Sequence, residues 1–251
     1  AYEIRLSLVG SEMCIRDRRM LAQVASQTSE VLKKETWKEV PLEFEFNYRL
    51  AVSTKGNAIL FTNEIKDGKI RLMLHSIAYA NLKLVVPYTA DSEESAHYNN
   101  NFLLDEEDYA STIYAMGTSL GVWARALFDK NFFSSDARII GLTSEGSSSA
   151  WRGYAAVSMA KGVLENISRS LALELAPYGI RSNIIQAGFT DTPALRLMLN
   201  NKRMSVFAKK RNPFKRLTTP EDVANVIYLL CRDESSWING TIVRVDGGEY
   251  I

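Results

Sequence analysis

Apolar and polar positions are most regularly ordered in the second half of the chain. Arg138-Ile139-Ile140-Gly141-Leu142-Thr143 is a short apolar run of buried-strand type. Ala155 to Ala176 has the length and apolar spacing of a long helix, stopped by Pro177 and Gly179. Ile180 to Gln186 is a further strand, Thr241 to Val245 a last one. Between them Thr219-Pro220-Glu221-Asp222 opens a helix: a hydroxyl at the N-cap, proline at the first helical position and acids at the next two. The first half is less ordered. Leu21, Val24, Val31 and Leu32 mark a surface helix over Met20 to Lys34, and Leu42 to Leu50 alternates like a strand. A short helix follows Lys55-Gly56-Asn57 and runs to about Lys66. The Asp67-Gly68-Lys69 turn then feeds the strand Ile70 to Leu74. Residues 86 to 108 read as an extended loop and Tyr109 to Phe128 as a long helix. Strands alternating with helices imply crossover units, and so an α/β fold with a doubly wound, mostly parallel sheet covered on both faces.

Composition narrows the chemistry. The 251 residues carry 30 Lys and Arg against 29 Asp and Glu, a net charge of +1, with 46% hydrophobic positions. That excludes a disordered chain and gives no global attraction to nucleic acid or anionic lipid. No stretch approaches the roughly 18 apolar residues that a membrane span needs. With only Cys14, Cys231, His75 and His97, neither a disulfide framework nor a clustered metal site can be assembled. Hydroxyls, lysines, carboxylates or a cofactor must supply the chemistry.

The N-terminus stands apart. Ser11-Glu12-Met13-Cys14-Ile15-Arg16-Asp17-Arg18 resembles the in-frame translation of a sequencing-library transposon end, and residues 1–18 are read as an artefactual segment ahead of one domain, 19–251. The alternative is an ordinary first strand followed by a Gly10 turn.

In a doubly wound sheet, ligands lie beyond the carboxyl ends of the strands. Four segments meet there: His75-Ser76-Ile77-Ala78, Thr143-Ser144-Glu145-Gly146, Tyr154 to Lys161, and Gln186-Ala187-Gly188-Phe189-Thr190-Asp191-Thr192. Tyr154 and Lys161 differ by about 20° in direction and about 10 Å in rise on a helix, so they share a face. An ammonium reaching back along that face is expected to favour the phenolate of Tyr154, making it a proton donor near neutral pH. Tyrosine and lysine on one helix are usually just surface residues; Ser144 at the preceding strand end adds weight to the pair.

With these residues the sequence resembles the short-chain dehydrogenase/reductase family over residues 56 to 251, within it the divergent enoyl-acyl-carrier-protein reductase branch. Ordinary members pair Tyr and Lys four apart, but Val157 stands four before Lys161; the six residues between Tyr154 and Lys161 match the enoyl-reductase spacing. His75 to Ala80 is similar to that branch's strand end beside the cofactor, Ala187 to Thr192 to the nicotinamide loop, and Asp246-Gly247-Gly248 to the C-terminal signature. The resemblance implies a Rossmann-like fold and an NADH- or NADPH-dependent reduction of an acyl chain held as a thioester. The catalytic residues would be Tyr154, Lys161 and Ser144. The cofactor would be bound by Ser76, Ile77, Ala78, Lys161, Gly188, Thr190 and Thr192. A cytoplasmic homotetramer, built through the helices at Tyr109 to Phe128 and Ala155 to Ala176, is also implied. Two features depart from the pattern. Serine at 144 occupies the place of a second tyrosine in many of these reductases and resembles the catalytic serine of carbonyl-reducing members. The glycine-rich turn that presents backbone N–H groups to a pyrophosphate is absent, so the first strand, glycine turn and first helix are expected to be missing or incomplete.

Pro193 to Arg216 holds eight basic residues, among them Arg211, Lys215 and Arg216, and no acid. It reads as a substrate-covering segment near which an acidic acyl carrier protein docks, or as a solvated basic helix without a partner. His75 is expected to pack and hydrogen-bond rather than act as a base, His97 to be solvated, Cys231 to be a buried small hydrophobe, and Trp151 to shape an acyl pocket or simply pack. Glu145 is given no role. Beside enoyl reduction in fatty-acid synthesis stand two alternatives: a carbonyl reductase of 3-oxoacyl thioesters or small ketones, and a truncated, non-catalytic remnant.

Overall fold

The computed structural model describes residues 3–8, 69–77, 82–88, 103–190 and 201–251. The elements expected at Met20 to Lys34, at Leu42 to Leu50 and up to Lys66, together with His97, Ala78 and Thr192, lie outside them.

Among the described residues, five strands form one parallel sheet: β1 (Glu3–Leu8), β2 (Lys69–His75), β3 (Phe133–Thr143), β4 (Arg181–Ala187) and β5 (Ile242–Val245). Their order across the sheet follows the chain. β1 lies within the segment read as artefactual, and its backbone pairs with β2 from Glu3 beside Lys69 to Leu8 beside His75.

The helices are α1 (Glu106–Ile113), α2 (Ser119–Asp129), α3 (Ala155–Glu174), α4 (Asn201–Arg211) and α5 (Pro220–Leu230). The helix expected from Tyr109 starts three residues earlier. Asp105 accepts from the Asp108 N–H at 2.8 Å while Asp108 accepts from the Asp105 N–H, a reciprocal cap at what read as the end of an extended loop. Thr219 and Asp222 cap α5 in the same way, as its sequence predicts. α3 ends at Glu174 and gives way to a short 3-10 turn, Ala176–Tyr178, closed by Gly179 at φ 74°.

The strands read as continuous apolar runs because both faces of the sheet are covered. Met73, Ile139 and Ile184 face one side and pack with Leu120, Leu127, Val157, Ala160 and Leu164. Leu72, Leu74, Ile140 and Ile185 face the other and pack with Val223, Ile227, Leu230 and Cys231 of α5 and its cap. Cys231 is fully buried, as expected of a small hydrophobe.

α1 and α2 are joined by a π-helical turn, Tyr114–Thr118, instead of forming one regular helix. Such turns widen the helix locally and re-aim side chains. Gly117 sits where it meets α3: a Cβ there would lie 2.8 Å from the Ala160 carbonyl oxygen, so only glycine lets the two backbones approach this closely. At the amino ends of the strands, Asp136 gathers the guanidinium groups of Arg71, Arg138 and Arg181, and Arg138, almost fully buried, also donates to the Leu230 carbonyl. One charged network therefore ties the amino ends of β2, β3 and β4, at the end of the sheet away from Ser144.

Candidate active site at the carboxyl edge of the sheet

β3 delivers Ser144. Thr143 is its last residue, and Ser144 continues in extended conformation before the chain turns at Glu145–Ser147. The Ser144 hydroxyl is buried, makes no hydrogen bond of ordinary geometry and lies close enough to the Tyr154 phenol to act on it. Tyr154 stands immediately before α3, and its ring packs on the turn: a Cβ on Gly146 would lie 2.3 Å from Tyr154 Cε1 and 3.4 Å from Ser144 Oγ. The missing side chain at Gly146 is what brings the phenol beside the serine.

Two turns into α3, Lys161 is buried and donates from Nζ to the Leu142 carbonyl at 2.7 Å, anchoring the ammonium to the last residues of β3. Burial pushes the Tyr154 hydroxyl above the ordinary tyrosine value; the neighbouring Ser144 hydroxyl pulls it down and the charge of Glu145 pushes it further up. Tyr154 is accordingly a neutral phenol, able to donate its proton. Val157, four before Lys161, is buried in the core, so the common four-residue pairing has no counterpart in the structure.

His75 ends β2. Burial first, then the positive charge of Lys161, pulls it down to about 3 against a slight opposite pull from its own backbone, so the ring is neutral. Its tautomer follows from the neighbours. Ser119 Oγ donates its single proton to the Ala115 carbonyl at 2.7 Å, and His75 Nε2 lies 2.8 Å from the same oxygen. Nε2 must therefore carry the hydrogen, leaving Nδ1 a bare acceptor, buried and without a hydrogen bond. His75 thus packs and hydrogen-bonds, and it does so to Ser119, the first residue of α2, directly after the π-turn. Ser76 and Ile77, next along the chain, are buried at the same edge.

From β4, the Gly188 N–H donates to the Val245 carbonyl at 3.0 Å, and Thr190 donates through its hydroxyl to the Gly188 carbonyl at 2.9 Å. The Thr218 N–H donates to the Phe189 carbonyl at 3.1 Å. These bonds hold the loop after β4 against β5 and the entry to α5.

The structure thus brings Ser144, Tyr154 and Lys161 to one edge, with Ser76, Ile77, Gly188 and Thr190 at the ends of the flanking strands. It also shows residues that sequence reasoning missed. Glu145, given no role, accepts both arms of the Arg211 guanidinium, and Glu249, next to Asp246-Gly247-Gly248, accepts from the same group. Arg211 and Arg216 of the acid-free basic run are thus paired with acids outside it, Arg216 with Asp222. A run so lacking in acids must find its counter-charges elsewhere in the chain, and that signal was available.

The residues present fit the nicotinamide and substrate half of a dinucleotide site. A buried hydroxyl makes no hydrogen bond of ordinary geometry, a neutral phenol stands next to it, and a buried ammonium is fixed nearby. For the pyrophosphate half, the sequence offers no glycine-rich turn.

A doubly wound parallel sheet with serine, tyrosine and lysine at its carboxyl edge defines a Rossmann-like protein of the dehydrogenase and reductase type. The family described as Enoyl-(Acyl carrier protein) reductase matches residues 52–249, and the chain belongs to it, within the short-chain dehydrogenase/reductases. Among curated relatives, the uncharacterized oxidoreductase YjdA of Bacillus subtilis is 33% identical over 143 residues, 57% of this chain and 54% of its own. The 3-oxoacyl-[acyl-carrier-protein] reductase FabG of Buchnera aphidicola is 36% identical over 104 residues, 40% of each chain. The chain spans about half the length of the curated relatives it matches. The enoyl-acyl carrier protein reductase of Bacillus cereus, solved with NADP+ and indole naphthyridinone, superposes with TM-score 0.77 at 21% identity, covering 99% of this chain and 97% of that one; at that identity it speaks for the fold alone.

Proposed function

We propose that the protein reduces the carbon–carbon double bond of a trans-2-enoyl thioester carried on acyl carrier protein, with NADH or NADPH as the reductant. The observation that carries this reading is the seven-residue offset between Tyr154, immediately before α3, and Lys161 on it, the phenol beside Ser144 and the ammonium tied to β3, with apolar Val157 where the common pairing has its tyrosine. When bound, a reduced nicotinamide supplies the hydride. Lys161 and Thr190, with Gly188 and the backbone at Ser76 and Ile77, are the residues that would hold it. Tyr154 donates its O–H to the thioester oxygen as charge develops there, and burial keeps that phenol protonated until it is needed. Lys161 adds positive potential to the same place, and Ser144 lines it with a second hydroxyl.

A second reading is reduction of a carbonyl, on a 3-oxoacyl thioester or a small ketone. It is favoured by the buried Ser144 hydroxyl next to the Tyr154 phenol, two groups able to polarise one carbonyl oxygen. Oxidation of NADH or NADPH with crotonyl and with acetoacetyl thioesters separates the two, and turnover on the keto substrate alone would overturn the first. Absence of any thermal or fluorescence shift with millimolar cofactor would point to a non-catalytic remnant.

Docking of the carrier protein belongs to the same proposal. Lys209, Lys210 and Lys215 are exposed beside exposed Val206, Phe207 and Phe214, a basic and apolar surface suited to an acidic helical partner. So does a homotetramer, which equilibrium sedimentation would test. Among the described residues no helix is long and apolar enough to cross a membrane.

A further inference from the structure

Glu145 follows Ser144 directly. Arg211, the last residue of α4, grips its carboxylate with a two-armed fork, Nη1 to Oε1 at 3.1 Å and Nη2 to Oε2 at 2.8 Å. Nη2 also donates to Glu249 Oε1 at 2.8 Å, and the other oxygen of Glu249 accepts the Phe189 N–H at 3.0 Å. The guanidinium lies over the Tyr250 ring, 4.4 Å from its centre. One cation therefore joins the turn carrying Ser144, the end of α4, the loop after β4 and the turn after β5. It does so against two carboxylates, with the Glu249 side chain 1% exposed and that of Glu145 16%. Charges this sheltered from water act on their neighbours with little screening, and removing the cation leaves both carboxylates without their main counter-charge.

We propose that Arg211 is a positioning residue for the reaction site: it fastens α4 to the turn after β3 and neutralises Glu145, which stands between Ser144 and the Gly146 on which the Tyr154 ring packs, so that the docked position of α4 sets the charge beside the phenol. The inference concerns the site's own charges and holds whichever acyl substrate the site takes. The charged group acting on the phenol is Glu145 on the turn; behind it stand Arg211 on α4 and Glu249 after β5, while Lys161 lies two turns along α3, Arg152 lies over Tyr88 and His75 on β2 is neutral. Of these, Glu145 is the one whose negative charge pushes Tyr154 upward, so a change in its pairing reaches the phenol directly.

The test needs neither substrate nor cofactor, so its failure and that of the reductase reading are distinguishable. Tyr154 is titrated by the phenolate absorbance difference between each protein and the same protein carrying Y154F, with circular dichroism showing that the fold persists. E145Q is expected to move the Tyr154 titration down and R211M to move it up, while R211K, which keeps the charge but not the fork, stays near the wild type. Tryptic cleavage after Lys209 and Lys210 is expected to be several-fold faster in both R211M and R211K than in the wild type, because α4 has lost its fastening. A purely structural cluster would give E145Q and R211M the same direction of titration shift, and that result, or unchanged cleavage in every variant, overturns the proposal. Should R211M fail to fold, E145Q and R211K still decide it: E145Q without a downward shift, or R211K without faster cleavage, is equally fatal.

Discussion

Replacing Gly146 by alanine tests whether the position of the Tyr154 phenol, beyond its presence, matters to the chemistry. The added Cβ would fall 2.3 Å from Cε1 and 2.8 Å from Cδ1 of the ring. Ordinary carbon contacts begin near 3.5 Å, so the ring must retreat by about 1 Å. Gly146 is not among the positive-φ glycines, so alanine strains no backbone there, and the turn itself keeps its shape. The cost in stability is that of overpacking, about 1 to 3 kcal/mol. For the reaction, a misplacement of about 1 Å is worth about a hundredfold in rate, near 2.7 kcal/mol of activation free energy. The assay is steady-state oxidation of NADH or NADPH with whichever thioester proves active, together with cofactor affinity by fluorescence titration. G146A should lose about two orders of magnitude in kcat while cofactor affinity changes little, because Lys161 is anchored to Leu142 independently of the turn. In Y154F the hydroxyl is already gone, so adding G146A should cost little more, a non-additivity that marks a shared cause. A G146A protein that turns over at the wild-type rate, while Y154F is crippled, would show that the phenol need not sit where the glycine allows it, and the geometric basis of the assignment would fail.

His75 should make stability pH-dependent. Its folded value is lowered from 6.5 to about 3, so below 6.5 the unfolded chain takes up a proton that the folded one refuses, and stability falls as the pH drops toward about 3. Each pH unit in that window costs about 1.4 kcal/mol; urea midpoints at pH 7 and pH 5 should differ in the wild type and lose this part of the difference in H75N. S119A removes the oxygen that accepts from His75 Nε2 and should cost about 1 to 3 kcal/mol by chemical denaturation, from the buried N–H left unpaired. T219A breaks the reciprocal cap of α5 and should cost about 1 kcal/mol in the same measurement. G188A would place a Cβ 2.8 Å from the Asp246 Cα, a backbone neighbour that cannot swing aside, so the loop carrying Thr190 must move; cofactor affinity should fall with stability in this variant and be little changed in Y154F.

What was legible in the sequence is what is local. The strand from Ile70, the α3 and α5 helices and the last strand announce themselves by apolar runs and by the Thr219-Pro220-Glu221-Asp222 start. The π-turn at Tyr114–Thr118 does not, because nothing in Tyr-Ala-Met-Gly-Thr interrupts an apolar helical pattern; the widening answers to Gly117 meeting Ala160 and to Ser119 reaching His75, contacts between segments far apart in the chain. The start of α1 hid for a different reason. An acidic stretch with no periodicity looks like a loop, yet Asp105, Glu106, Glu107 and Asp108 are what a helix N-terminus stabilises. In the site, the spacing of Tyr154 and Lys161 was readable, but the sign of the effect on the phenol was not. Spacing places two groups on one face; it does not say that the ammonium will be committed to the Leu142 carbonyl or that a carboxylate will stand beside the ring.

The distribution of charge over the sheet follows from the same distinction. At the amino ends of β2, β3 and β4, three arginines converge on one carboxylate, and burial, which pushes Asp136 up, is outweighed by Arg138, Arg71 and Arg181, so it stays ionised and pinned. At the carboxyl ends two carboxylates share one arginine, and near them lie the buried Lys161 ammonium, a neutral imidazole, the Ser144 hydroxyl and a phenol raised above its usual range. The Asp136 network holds the amino ends of three strands in register. The site-end arrangement has a hydroxyl in reserve, and the apolar layers on both faces keep it from collapsing onto its own groups. If the proposed reduction takes place here, a substitution that gives the Ser144 hydroxyl a permanent internal acceptor should raise stability while lowering turnover.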